Sequence, residues 1–261
     1  MKKIVLFILG ACIIIPLLFL LLWSLIDRLQ WPNIFPQYLS LSTWRQILKQ
    51  KEFILSVVAS LGVSSAVTFL AMSVSLPAAF AISQYVFKGR TFIWILLLMP
   101  LIIPSISISI GLHLVFLRFG FTDTYFGVVL CHLIPTVPYS VKILTYNFDL
   151  LGKGLGDQAK ILGANTFDTI RYVYLPNMKR AVSLSSVLVF TVSFSQYLLT
   201  FLIGGGTIKT LPILMFPIMQ SGNRSEVSAY SLIFILTAMA ATFLIERHLG
   251  ENNRNTNYIN L

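Results

Sequence analysis

Long apolar runs separated by short polar segments set the pattern of this chain. The runs cover about Ile4–Ile26, Leu55–Ile82, Thr91–Leu117, Tyr125–Phe148, Ala181–Ile203 and Val227–Ile245. A helix needs about 20 apolar residues to cross a hydrocarbon core ~30 Å thick, and each run is close to that length or longer. A transmembrane β-barrel would instead show short segments of alternating polarity. The pattern predicts an all-α polytopic transmembrane bundle of about six spans, read as one domain over residues 1–261. The first run, at 1.5 Å per residue, extends ~35 Å and crosses with some tilt. A cleaved signal peptide has an apolar region of about 7–15 residues ending at small residues. The first run is longer and ends at Trp23-Ser24-Leu25, so it reads as a retained span. The second run exceeds one crossing, and its surplus either tilts or extends beyond the membrane.

The polar segments give an orientation. With the N-terminus inside, Lys2, Lys3, Lys88, Arg90, Lys142, Lys153, Lys160, Arg171, Lys179, Arg180, Arg247 and Arg254 fall on the inner side. The outer side then holds Arg28, Arg45, Lys49, Lys51, Arg118, Lys209 and Arg224. Twelve against seven favours cytoplasmic N- and C-termini, because basic residues are retained on the inside. Lys88-Gly89-Arg90 is a basic inner turn, and residues 27–53 form a longer outer segment. There, Ser42 is placed to cap a short helix with Trp44, Ile47 and Leu48 on one side. Trp31 and Trp44 suit the membrane interface. The tail, about 247–261, is polar and rich in Asn and is expected to end in disorder.

Composition narrows the class further. The chain is 56% hydrophobic and 11% charged, with a mean hydropathy of +0.83, which excludes an ordinary soluble domain. Its net charge of +10 does not point to nucleic acid, since the basic residues are scattered between spans with no dense aromatic-laced stripe. They instead suit cytoplasmic loops and anionic membrane lipid. Cys12 and Cys131 both lie in apolar runs and indicate no disulfide framework. Pro16, Pro77, Pro100, Pro104, Pro135 and Pro138 fall within runs, where each removes a backbone donor and can bend its helix. A bilayer tolerates such bends where neighbouring helices or water satisfy the freed carbonyls. No internal repeat of the inverted-repeat transporter kind is visible.

The segment about 149–180, between the fourth and fifth runs, is the polar stretch with the most specific order. Residues Gly156 to Leu162 favour a short helix that stops at Gly163, which is suited to a left-handed position. Asn165 or Thr166 can cap a second helix, with Asp168 in its first turn. Phe167, Ile170 and Tyr174 recur at helical spacing as a narrow apolar stripe. Leu175-Pro176 then ends the segment and returns the chain to the membrane. Two short helices around a glycine make a rigid protrusion on the inner face.

The spacing Asp157-Gln158-Ala159, Gly163, Val173, Leu175-Pro176 resembles the Glu-Ala-Ala loop of inner-membrane permeases of binding-protein-dependent ABC importers. That pattern is Glu-Ala-Ala, three residues, Gly, nine residues, Ile, any residue, Leu-Pro. Asp157 here replaces the Glu, and Gln158 replaces the first Ala. The resemblance implies that Asp157, Gln158, Ala159, Gly163, Ala164, Leu175 and Pro176 couple the chain to a cytoplasmic ATPase subunit. It also implies a second permease subunit, the same or different, an extracytoplasmic solute-binding protein, and a bacterial inner-membrane location. ATP would be bound by the partner ATPase, with no cofactor in this chain. The variant Ala159-Lys160-Ile161-Leu162-Gly163-Ala164, with a glycine-rich outer turn, resembles the polyamine, thiamine, iron and sulfate branch of these permeases.

Other motifs carry less. Gly204-Gly205-Gly206-Thr207-Ile208-Lys209-Thr210 superficially resembles a phosphate-binding loop, but that motif wants Gly directly before Lys and a strand ahead. In the fifth run, Ser186, Ser193, Gln196 and Tyr197 are candidates to line a path or to bond between helices. His113 and His132 invite an intramembrane protease or a metal site. Gly62-Val63-Ser64-Ser65 lacks the second glycine of a nucleophile elbow, and two lone histidines fall short of a ligand set. A self-contained secondary transporter is the rival class; it would favour buried ionisable residues, which the last three runs lack.

Overall fold

The computed structural model describes residues 2–26 and 39–249. Arg28, Trp31, Arg254 and the tail beyond residue 249 lie outside the described residues. The chain is all-α; an isolated bridge pairs Ile26 with Leu39. In order come α1 (Lys2–Ser24), α2 (Ser42–Lys49), α3 (Lys51–Gln84), α4 (Arg90–Ile102), α5 (Ser105–Arg118) and α6 (Tyr125–Leu151). A protrusion follows as α7 (Gly154–Ile161), α8 (Thr166–Asp168), a π-helical turn (Thr169–Tyr174) and α9 (Leu175–Asn177). The chain then continues through α10 (Lys179–Phe194), α11 (Leu198–Gly204), α12 (Leu211–Gln220) and α13 (Arg224–Leu249).

Helices α3, α6 and α13 are each long and apolar enough to cross a membrane alone. Two expected spans are bent. Thr91–Leu117 is not one straight helix: α4 and α5 meet at 105°. The cause is Pro104, which pushes the residue before it out of the helical region, and Ile103 is extended at φ −73, ψ 136. Ala181–Ile203 is likewise broken, with α10 and α11 meeting at 59° across Ser195–Tyr197. Of the prolines singled out, Pro16, Pro77, Pro100, Pro135 and Pro138 stay inside their helices. The pattern did not anticipate α12, whose first turn carries Pro212, a position where a missing N–H costs nothing.

The chain divides into two compact units, Met1–Ser60 with Lys209–Met239, and Leu61–Ile208 with Ala240–Leu261. In the first, Ser225 donates to the Ile26 carbonyl and accepts from Thr43 Oγ1 at 3.1 Å. Tyr230 Oη donates to Gln50 Oε1 at 2.9 Å, and Ser60 Oγ accepts the Leu211 N–H at 2.7 Å. Helix α2 turns Thr43 and Ile47 inward and leaves Leu48 exposed, so the expected Trp44–Ile47–Leu48 face is split. Ser42 lies inside the helix rather than capping it; its N–H is taken by Ser40 Oγ at 3.2 Å.

The second unit is built on α6. Val128, Cys131, Val189, Leu199 and Ile203 form one apolar cluster, and Leu144, Phe148, Tyr174, Met178 and Ala181 form another. Small residues let the backbones approach: Ser140 of α6 hydrogen-bonds Ser75 of α3, and Ser183, Ser185 and Ser186 are buried on α10. The second cluster sits where α6 leads into the protrusion, and so positions the candidate site.

Candidate functional site

The protrusion begins where α6 ends at Gly152. Helix α7 covers Gly154–Ile161, starting two residues and ending one residue earlier than the sequence pattern suggests. Its end is a Schellman cap: the Gly163 N–H reaches the Lys160 carbonyl at 2.9 Å, and the Ala164 N–H reaches the Ala159 carbonyl at 3.0 Å. Gly163 holds φ +89, in the left-handed region. A Cβ there would meet open space, so the constraint is backbone strain rather than crowding. Asn165, and not Thr166, caps the next turn, accepting the Asp168 N–H at 2.9 Å. Its amide also donates to Asp168 Oδ2 at 2.7 Å.

From Thr169 the backbone winds as a π-helix. The wider turn brings residues five apart into line, and Thr169 and Tyr174 are the buried pair. The expected Phe167–Ile170–Tyr174 stripe therefore does not form: Tyr174 is 1% exposed, whereas Phe167 is 66% exposed. Leu175 and Pro176 open α9 instead of ending the segment, and the chain turns at Met178 before α10.

The seven residues expected to couple thus fall into three groups. Asp157 and Gln158 are exposed on α7, while Ala159 is buried on its opposite side. Gly163 and Ala164 make the cap, and Leu175 and Pro176 start α9. The tip of α7 also carries Ile161 and Leu162, 85% and 87% exposed, which the sequence reading did not single out. Exchanging Gly163 for Val is expected to cost about 1–2 kcal/mol locally, since a β-branched residue resists φ near +90°. Amide exchange at Ala164 would rise several-fold in that variant; unchanged protection would show that the cap does not need glycine.

Tyr174 ties the protrusion to the bundle. Its ring packs edge-on against Phe80 of α3 and Phe148 of α6, with centroids 5.6 Å and 5.4 Å away. Its Oη lies 3.2 Å from both Gln84 Oε1 and the Gly152 carbonyl oxygen. Burial pushes the phenol above its ordinary pKa, so it remains a protonated donor. Gln84 Nε2 donates onward to Ser83 Oγ at 3.0 Å, and Ser83 donates to the Asp149 carboxylate. A directed chain of donors therefore runs from the loop through α3 to the end of α6. Gly156, Tyr174, Gln84, Ser83 and Asp149 were missed as a group; the only trace in the sequence is the close-set Gly152, Gly154 and Gly156.

The candidate path residues fall apart in a similar way. Ser186 and Ser193 are buried on α10, seven residues apart. Ser193 Oγ lies 2.9 Å from His132 Nδ1. Gln196 and Tyr197 are half-buried at the break before α11, where Tyr197 stacks on Phe201 at 5.6 Å. Ser64 is buried in α3, and its hydroxyl has no hydrogen-bond partner among the described residues. No group of three potential metal ligands comes together among the described residues. Gly204 ends α11, and Ile208, the residue before Lys209, is buried in the α6 cluster.

A family model described as "Binding-protein-dependent transport system inner membrane component" matches residues 74–249. A spermidine/putrescine transport system permease protein, PotC, of Haemophilus influenzae is 25% identical over 175 residues, covering 67% of this chain and 68% of that protein. A trehalose/maltose transport system permease protein, MalG, of Thermococcus litoralis is 32% identical over 143 residues, covering 55% and 51%. In three dimensions the chain is similar to a chain of a bacterial ABC transporter involved in alginate import. The TM-score is 0.74 at 14% identity, covering 95% of this chain and 94% of that one.

Proposed function

The chain belongs to the binding-protein-dependent transport system inner membrane components, the permease subunits of ABC importers, and from that premise we propose that its 154–177 protrusion is the seat of a cytoplasmic ATPase. The family is one of transport permeases rather than enzymes. The observation that carries the reading is the capped, rigid α7 that presents Asp157, Gln158, Ile161 and Leu162 outward while Gly156 and Ala159 pack inward. Ile161 and Leu162 are large apolar groups on a polar loop. Such groups gain most when a partner's groove covers them.

In this reading the whole chain, residues 1–261, serves as one permease domain in the inner membrane with both termini cytoplasmic. It pairs with a second permease, identical or different, and the solute path lies between them. Gln196 and Tyr197, at the break of a bent span, are the candidates with accessible surface to line it, whereas Ser186 and Ser193 are buried on α10. Two ATPase subunits bind the nucleotide, and an extracytoplasmic binding protein delivers the solute. ATP and the loaded binding protein supply the differential affinity that switches the spans, since a ligand indifferent to both states shifts nothing. The solute class that similarity to a spermidine/putrescine permease favours is a polyamine. The Gly204-Gly205-Gly206 turn ahead of Leu211-Pro212 is in keeping with that branch.

The test is purification of the tagged chain from its native membrane in mild detergent. A nucleotide-hydrolysing subunit and a second permease are expected to come with it. A chain recovered folded but without any ATPase would overturn the proposal.

A further inference from the structure

Helix α7 rests on the Tyr174 side chain, which also contacts α3 and α6 and lies outside the residues that match the family pattern. We propose that Tyr174 is the joint through which movement of the protrusion reaches α3 and α6; this rests on the ATPase-driven reading above. Three elements meet at the one ring. Phe80 and Gln84 come from α3, Phe148 and the Gly152 carbonyl from the end of α6, and Gly156 from α7. Phe80 and Phe148 also pack on each other, with centroids 5.5 Å apart, so the ring closes a three-membered aromatic box. Edge-to-face packing of this kind fixes ring angles as well as separations.

The fit against α7 is tight. A Cβ at Gly156 would come within 2.8 Å of Tyr174 Oη but no nearer than 3.5 Å to the ring carbons. The helix backbone therefore rests directly on the phenol oxygen. A displacement of α7 has no compliant side chain to absorb it, because packed interiors transmit strain. Gln84, Ser83 and Asp149 extend the same contact by hydrogen bonds along the inner ends of α3 and α6. The π-helical turn Thr169–Tyr174 places Tyr174 at its own last residue, so the joint sits at the end of a turn wound differently from its neighbours.

The geometry gives a matched pair of substitutions. Gly156→Ala inserts the Cβ against Oη. Tyr174→Phe removes that oxygen and keeps the ring. The readout is hydrogen–deuterium exchange of the intact complex in nanodiscs, with and without ATP plus vanadate, which needs no knowledge of the solute. In the wild type, nucleotide trapping is expected to change exchange in α7 and in the inner half of α6, residues 139–151. In Gly156→Ala and in Tyr174→Ala, the α6 response is expected to fall by about threefold or more while the α7 response remains, as for a cut between coupled elements. Adding Tyr174→Phe to Gly156→Ala is expected to restore the α6 response. A joint that merely stabilises the fold would lower protection equally with and without nucleotide. Size-exclusion chromatography identifies a variant that fails to fold, and the Gly156→Ala rescue then stands without Tyr174→Ala. An undiminished α6 response in Gly156→Ala, a double variant no better than Gly156→Ala, or no α6 response in the wild type would overturn the proposal alone. A wild-type complex that contains no ATPase would overturn the ATPase-docking reading, and the proposal with it.

Discussion

Replacing both Ile161 and Leu162 with Asp is expected to release the ATPase from the permease and abolish uptake, leaving the chain inserted and folded. Both side chains are more than four-fifths exposed, so the unbound chain loses little: substitutions at such positions stay within about ±0.5 kcal/mol. In the complex the same positions would be covered. A carboxylate forced into an apolar groove without a partner costs about 3 kcal/mol or more, over a hundredfold in affinity. The two readouts are ATPase retained on the tagged permease and ATP-driven solute uptake by proteoliposomes. Retention at the wild-type level by the double variant would show that the tip of α7 is not the docking surface. Asp157→Asn, on the same exposed face, removes only a charge and is a control of smaller effect, because an exposed ion pair contributes about 0–1 kcal/mol.

The asymmetry between these positions explains why the loop was legible while its attachment was not. Gly163 and Asn165 act through their own backbone and their nearest neighbours, so a cap and a stop can be read from local order. Tyr174 acts through Phe80 and Gln84, about ninety residues earlier, and no local pattern links them. The π-helical turn compounded the difficulty. A reader assuming 3.6 residues per turn places Phe167 and Ile170 with Tyr174, whereas the actual winding pairs Tyr174 with Thr169. The spans show the same division. Apolar length alone places α3, α6 and α13, because the bilayer thickness sets it. The 105° bend between α4 and α5 was foreshadowed only as one of six prolines. Pro104 differs from Pro100 or Pro135 in that Ile103 adopts the extended geometry a following proline prefers, and tertiary packing decides which proline does so.

The break between α10 and α11 is held by a residue that sequence alone cast as a candidate protease or metal group. His132 of α6 is 1% exposed and bonds both limbs of the bend. Its Nδ1 lies 2.9 Å from Ser193 Oγ on α10, and its Nε2 lies 2.9 Å from Thr200 Oγ1 on α11. Thr200 gives its own hydroxyl proton to the Gln196 carbonyl at 3.0 Å, so it accepts from Nε2–H. Nδ1 is then the acceptor of the Ser193 hydroxyl. Each limb is thereby assigned one role, and the imidazole's two nitrogens bridge the limbs across the 59° bend. His132→Leu fills much of the volume but leaves the Ser193 hydroxyl buried without an acceptor, which costs about 1–3 kcal/mol. The expected result is a melting midpoint lowered by several degrees in detergent, and reduced uptake even after the folded fraction is matched. His132→Gln, which offers one donor and one acceptor at similar reach, is expected to recover part of both. Ser193→Ala in the His132→Leu background removes the stranded group and is expected to cost less than His132→Leu alone. Additive losses in that double variant would mean that the imidazole and the serine act independently, and that the bend is set by packing of Phe190, Phe194 and Leu199 instead.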